Sequence, residues 1–322
     1  MKLKSILFYI LKLGLAFAII GYLVKTGRID FRSIYNAWEN YELIIFSFLL
    51  IVSAVLVNIY RWALLLKGQG MLISSKDIIS LSFIGLFFTT ILPGAVGGDV
   101  IKSVYVAKKS PSKKTAAILT ILLDRVIGVT VLIIIACIGV FVNFDLFRSQ
   151  PALKTLGLTM MAILLGILLI TTLGLSRRVH QSKRVQRLIS KVPLSSIIFK
   201  AHDAFHAYRN NMRYLIYAFI VSFLTHLFNI TAFYFAVRAL NFYAVDIKTL
   251  LFIVPIGLIT TAVPLAPAGL GIGQAAFLKL FEWTLGYPST IGADAITIIQ
   301  ALSIIIFSSG AYFYLAYKKR SH

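Results

Sequence analysis

The sequence predicts an all-α polytopic membrane protein: six spanning helices plus two re-entrant, Pro/Gly-broken hairpins in an inverted repeat. Three observations predict it. Of 322 residues, 59% are hydrophobic and 13% charged, against roughly 25% charged in soluble domains. Several apolar runs reach the about 20 residues that a bilayer crossing needs. The 32 Lys and Arg greatly outnumber the 11 Asp and Glu, and they gather in particular connecting segments, as in cytoplasmic loops. In a soluble chain a formal charge of +21 would suggest nucleic acid. Here anionic lipid accounts for it, and no nucleic-acid motif accompanies it. The expected partner is membrane phospholipid, with no nucleic acid. The sequence is compatible with a homo-oligomer.

Six runs qualify as spans: 5–24, 42–66, 115–143, 152–175, 212–240 and 292–317. The first begins after Met1–Lys4 like a secretory leader. No small-residue cleavage site follows Val24, so it reads as a retained helix. Two further stretches are interrupted. The first, 77–107, breaks at Leu92-Pro93-Gly94-Ala95-Val96-Gly97-Gly98-Asp99; the second, 247–285, breaks across Val263 to Gln274. Proline removes a backbone donor and glycine tolerates non-helical angles, so both clusters end helices. Non-helical backbone survives at membrane depth only inside protein or beside a wet cavity. Ordinary surface loops are the competing reading.

Charge placement favours hairpins. With the N-terminus inside and the chain turning back at Pro93–Asp99, Lys108, Lys109, Lys113 and Lys114 stay cytoplasmic. Arg61, Lys67 and Lys76 are assigned to a cytoplasmic turn, and nine Lys and Arg fall in 176–213. In this arrangement 21 Lys and Arg lie inside, seven lie outside and four lie at membrane depth. The order helix, helix, hairpin, helix then occurs twice, in halves 1–143 and 150–317 of a single membrane domain, 1–322. Asn58-Ile59 recurs as Asn229-Ile230, and Thr89-Thr90-x-x-Pro93 recurs as Thr260-Thr261-x-x-Pro264, at one common offset. Transporters commonly have this architecture, with sites where broken helices meet. Both termini are expected in the cytoplasm of a plasma or inner cell membrane. In 176–213, Leu188, Ile189, Val192, Ile197 and Phe199 alternate with Lys and Arg, which reads as a basic amphipathic segment on the inner leaflet.

Asp124 and Arg125 sit about ten residues into run 115–143, near the bilayer centre. A charge there is costly and needs a partner. Adjacent helix residues do not face each other, so the two are expected to have different partners, with Asp99 a mate for Arg125. Arg125 then either holds an anionic headgroup or locks hairpin to bundle. Half-helices starting near Gly98 and Gly273 would aim backbone N–H groups at a phosphate. Gly97, Gly98, Gly271 and Gly273 would allow close approach, or serve helix packing instead. Lys12 is a further candidate for a headgroup contact. Asn58, Arg61, His226, Asn229 and Gln300 read as interhelical hydrogen-bond partners. His202-Asp203-x-x-His206 lacks a third ligand and reads as a solvated face rather than a metal site. Cys137 has no intrachain disulfide partner. No nucleophile elbow, phosphate loop, dinucleotide fingerprint or zinc spacing occurs, so neither a cofactor nor a metal is expected.

Arg61-Trp62-Ala63-Leu64-Leu65, Pro93-Gly94-x-x-Gly97-Gly98-Asp99, Asp124-Arg125 and Pro267-x-Gly269-x-Gly271-x-Gly273 resemble the lysylphosphatidylglycerol synthase transmembrane region, also called the flippase-like integral membrane family. The resemblance covers nearly the whole chain. It departs at Gln274, where the family often has Glu. Fused members carry a soluble aminoacyl-transfer domain after this region, and this sequence ends at His322. The resemblance therefore implies lipid translocation, of an anionic or aminoacylated phospholipid, rather than enzymatic transfer. The substrate-site candidates are Arg125, Asp124, Asp99, Gly97, Gly98, Gly271, Gly273, Gln274, Lys12 and Arg61. A membrane-embedded lipid or polyprenyl-phosphate transferase and a lipid-binding partner of a synthase remain alternatives.

Overall fold

The computed structural model describes residues 16–92, 97–175, 208–263 and 266–320, with Gly14, Arg187 and Ser190 besides. Every regular element among the described residues is helical. In chain order they are α1 (Ala16–Lys25), α2 (Phe31–Asn36), α3 (Tyr41–Gly68), α4 (Ser75–Ile91), α5 (Gly97–Lys109), α6 (Lys114–Val142), α7 (Phe144–Ser149), α8 (Pro151–Leu175), α9 (Met212–Ala239), α10 (Ile247–Thr261), α11 (Ile272–Leu285), α12 (Ile291–Ser308) and α13 (Gly310–Arg320).

Among the described residues five helical stretches are long and apolar enough to cross a membrane: Phe31–Gly68, Lys114–Val142, Pro151–Thr172, Met212–Ala239 and Ile291–Lys318. They correspond to five of the six expected spans. Half of the sixth, 5–24, falls outside the described residues; its described part is Gly14 and residues 16–24 of α1. The basic segment 176–213 also lies outside them, apart from Arg187, Ser190 and its last residues from Tyr208.

The interrupted stretches fold as two pairs of short helices. In α4 and α5, Lys109 reaches Asp77 while Gly98 lies against Gly85 and Thr89, so the two run antiparallel. In α10 and α11, Gly257 meets the Phe277 ring and Gly273 meets Thr261, which is again antiparallel. These helices have 17, 13, 15 and 14 residues. At 1.5 Å per residue none exceeds about 26 Å, short of the ~30 Å hydrocarbon core.

Local chemistry sets the helix ends. Ser74 caps α4 by accepting from the Asp77 N–H, and Asp246 caps α10 by accepting from the Thr249 N–H at 2.8 Å. Before α11 the chain passes Ala268, Gly269 and Gly271, all at positive φ (50°, 70° and 78°). Glycine tolerates this conformation and alanine is strained by it.

Helices α3 and α9 form the longest contact in the bundle. They run antiparallel, and polar side chains bridge them from end to end. Asn40 donates to the Ala239 carbonyl, Ser47 to Ala232, Tyr208 to Leu65 and Asn211 to Gly68. Buried Ala232, Ala236 and Ala239 let Ile44 and Ile51 approach the α9 backbone. Glycines make the other close approaches. Gly139 of α6 lies on the Leu251–Phe252 backbone of α10, and Gly310 of α13 lies on the Phe83 carbonyl of α4.

Candidate functional site

Helix α6 carries Asp124 and Arg125 side by side, and the structure sends them to different partners. Asp124 faces α3. Arg61 Nε donates to its Oδ1 at 2.8 Å and Arg61 Nη2 to its Oδ2 at 3.1 Å, a bidentate pair. The same guanidinium donates to Ser222 Oγ at 2.7 Å and to Asn58 Oδ1 at 3.0 Å. Gly128 leaves the space it fills: a Cβ there would stand 3.3 Å from Nη1. His226 Nε2 donates to the Gly128 carbonyl at 3.0 Å. The pair is sealed, with side chains 5% and 13% exposed. Arg61 therefore does not belong with the cytoplasmic turn charges, where the sequence placed it. It lies inside α3, seven residues before Gly68, because the α3–α6–α9 junction supplies a carboxylate and two neutral oxygens for it.

Arg125 turns the other way, toward α5, and its Nε donates to Asp99 Oδ2 at 2.5 Å. This is the expected pairing. Unlike the first pair it is open, with side chains 40% and 24% exposed. Its neighbours Val100, Val104, Leu122 and Val126 are exposed too. The result is an accessible ion pair in an apolar surface at the break between α4 and α5.

The glycine candidates are taken up by packing. A Cβ on Gly98 would strike the Gly85 carbonyl and Thr89, and one on Gly97 would strike Leu92. A Cβ on Gly273 would come 3.0 Å from Gln300 and Thr261, and one on Gly271 3.1 Å from the Ala16 carbonyl. Gln274 is buried and caps its own helix: the Gly271 N–H donates to its Oε1 at 2.7 Å, and its Nε2 donates to Gln300 Oε1 at 2.7 Å. Lys12 and the His202/His206 pair lie outside the described residues; among the described residues no group of three or more His, Cys, Asp or Glu could hold a metal.

Sequence reading missed Lys102 as a site residue. It lies one turn beyond Asp99 on α5, with Nζ 3.6 Å from the Trp62 ring centroid. The Trp62 indole donates in turn to Thr120 Oγ1. Its position in α5, three residues after an acid in a broken helix, was the available signal. A cavity of about 900 Å³ opens elsewhere, between the α1–α2 and α11–α12 turns, lined by Arg28, Gln150, Lys279, Glu282 and Trp283 among others. None of the predicted site residues lines it.

A family model described as the lysylphosphatidylglycerol synthase TM region matches residues 9–310. The chain belongs to this family. Among curated proteins it is similar to the UPF0104 membrane protein PH1989 of Pyrococcus horikoshii, with 28% identity over 131 residues. That match covers 40% of this chain and 38% of the relative. The chain is thus a multi-pass membrane protein of the synthase transmembrane family. The α3, α5 and α6 motifs that carry its charged pairs all fall inside the matched region.

Proposed function

We propose that the protein is a lipid translocator rather than an enzyme. It moves a phospholipid between leaflets, the headgroup passing the Asp99–Arg125 pair while the acyl chains stay in the bilayer. The observation that carries this reading is the openness of that pair. An ion pair that only locks helices is best sealed, as Arg61–Asp124 is. A pair left accessible at membrane depth keeps its cost, and such groups generally mark a substrate path. The exposed valines and leucine beside it suit acyl chains.

The architecture supports the same reading. The bounds of α9, Met212 and Ala239, stand 171 positions after those of α3, Tyr41 and Gly68. This is also the offset between the Asn-Ile and Thr-Thr-x-x-Pro repeats. A pair of equivalent helices packed antiparallel suits an in-plane two-fold between inverted halves. On this reading α4–α5 and α10–α11 are re-entrant hairpins entering from opposite faces of a plasma or inner cell membrane, and both termini are cytoplasmic. The family takes its name from a lipid synthase, which supports a lipid as the cargo.

The test is scrambling of fluorescent phosphatidylglycerol in proteoliposomes. The wild type should speed it above protein-free vesicles, and Arg125→Ala should abolish the gain. Equal rates for both proteins would sink the role given to Arg125.

A further inference from the structure

Lys102 is the charge left over when the two ion pairs are formed. Five charged side chains interact at this junction: Arg61, Lys102, Arg125, Asp99 and Asp124. Arg61 takes Asp124, and Arg125 takes Asp99. Among the described residues no carboxylate comes within ion-pairing reach of Lys102. The helices around α5 offer none to spare. The only acid on α4 is Asp77, which pairs with Lys109 at the far end. Asp124 is the only acid on α6, α9 has none, and Glu42 on α3 lies at its opposite end. The stem of Lys102 packs beside Gly85, and its ammonium rests on the Trp62 ring. A ring face offsets part of the cost of holding an ammonium at membrane depth, and an anion would offset more.

We propose that Lys102 is the anion-binding residue of this site and that its ligand is the phosphodiester of a lipid headgroup with net negative charge. The surplus cation selects against aminoacylated headgroups, whose added ammonium would meet it as a like charge. This rests on the translocation reading and narrows its substrate class.

Wild type, Lys102→Gln and Lys102→Arg are compared in proteoliposomes with acyl-labelled phosphatidylglycerol and phosphatidylcholine. One charge-assisted hydrogen bond corresponds to about tenfold in rate or affinity. The wild type should therefore prefer phosphatidylglycerol by about that factor. K102Q should bring the ratio near one, and K102R should keep the preference. A ratio that survives in K102Q overturns the proposal. A second arm measures thermal shifts of the detergent-purified proteins with dihexanoyl-phosphatidylglycerol and with glycerol 3-phosphate. A lipid shift lost in K102Q supports Lys102 even if the wild type moves neither lipid, in which case the translocation reading alone fails. Equal shifts from glycerol 3-phosphate would assign the site to free phosphate and overturn the lipid assignment.

Discussion

Removing Asp124 should unlock the bundle without touching its apolar core. Arg61 makes four hydrogen bonds, two of them to Asp124 and one each to Ser222 and Asn58. Asp124→Ala deletes two of the four and the carboxylate that pairs with the guanidinium. The guanidinium, 5% exposed, is left among neutral oxygens. Breaking a buried pair from one side costs about 3–5 kcal/mol in soluble proteins. In a bilayer the unfolded helices also hold this arginine in lipid and find other partners, so about 2–3 kcal/mol is the better figure. Replacing both partners, Arg61→Met with Asp124→Leu, removes the stranded charge and should recover most of that loss. The assay is reversible unfolding in mixed micelles with rising dodecyl sulfate. A D124A loss under about 0.5 kcal/mol, well below the range for buried pairs, would refute the reasoning. So would a double variant less stable than D124A.

Gly98→Ala should loosen α4 from α5 by about 2 kcal/mol, because its methyl would meet the Gly85 carbonyl and Thr89; Gly166→Ala, with nothing within 4 Å, should be neutral or slightly stabilising in the same unfolding assay. Burial pushes the Asp246 carboxyl up, but the Thr249 N–H and hydroxyl and Lys248 together hold it below its ordinary 3.8. Its cap on α10, about 1 kcal/mol, should be fully present above that value and fade as pH falls through the lower folded value. The melting-temperature gap between wild type and Asp246→Ala should therefore be constant above about pH 5 and shrink below about pH 4; a gap that widens in acid would contradict the sign. Cysteines placed at Lys109 and Ser289 should label from opposite sides of the membrane, and same-side labelling would undo the inverted halves.

Much of the scaffold was legible because its signals are local. Run length marked the long helices to within a residue or two at most ends. Proline and glycine marked where α4 and α10 end and where α5 and α11 begin, since these residues disfavour a continued helix. The Asn-Ile and Thr-Thr-x-x-Pro recurrences already carried the 171-residue offset seen in the bounds of α3 and α9. Run 292–317 appears as the helical stretch Ile291–Lys318, but its close seat on α4, where Gly310 lies against the Phe83 carbonyl, could not be read from it. That contact is tertiary and leaves no pattern in the run itself. The Arg125–Asp99 pairing was readable because the hairpin reading had already placed Asp99 at the tip. Arg61–Asp124 was not, because an arginine near a helix end reads as a turn charge until α9 supplies Ser222 and α6 supplies Gly128. Residues 93–96 of the first expected break, Lys12 and most of 176–213 lie outside the described residues.

The division of labour between the two pairs follows from one helix. Successive α6 residues point about 100° apart, so a single Asp-Arg dipeptide serves two interfaces at the same depth. Asp124 fixes α6 to α3 and α9 in a closed network, and Arg125 faces α5 across an open one. If the first pair only holds the frame, neutralising both its members should leave translocation near the wild-type rate once the protein folds. If the second pair meets the headgroup, neutralising Asp99 and Arg125 together should stop translocation even though no charge is left stranded. R61M/D124L and D99N/R125Q therefore form a matched test, since each deletes one ion pair from the same turn of the same helix. Loss of transport in the first with retention in the second would exchange the roles of lock and site.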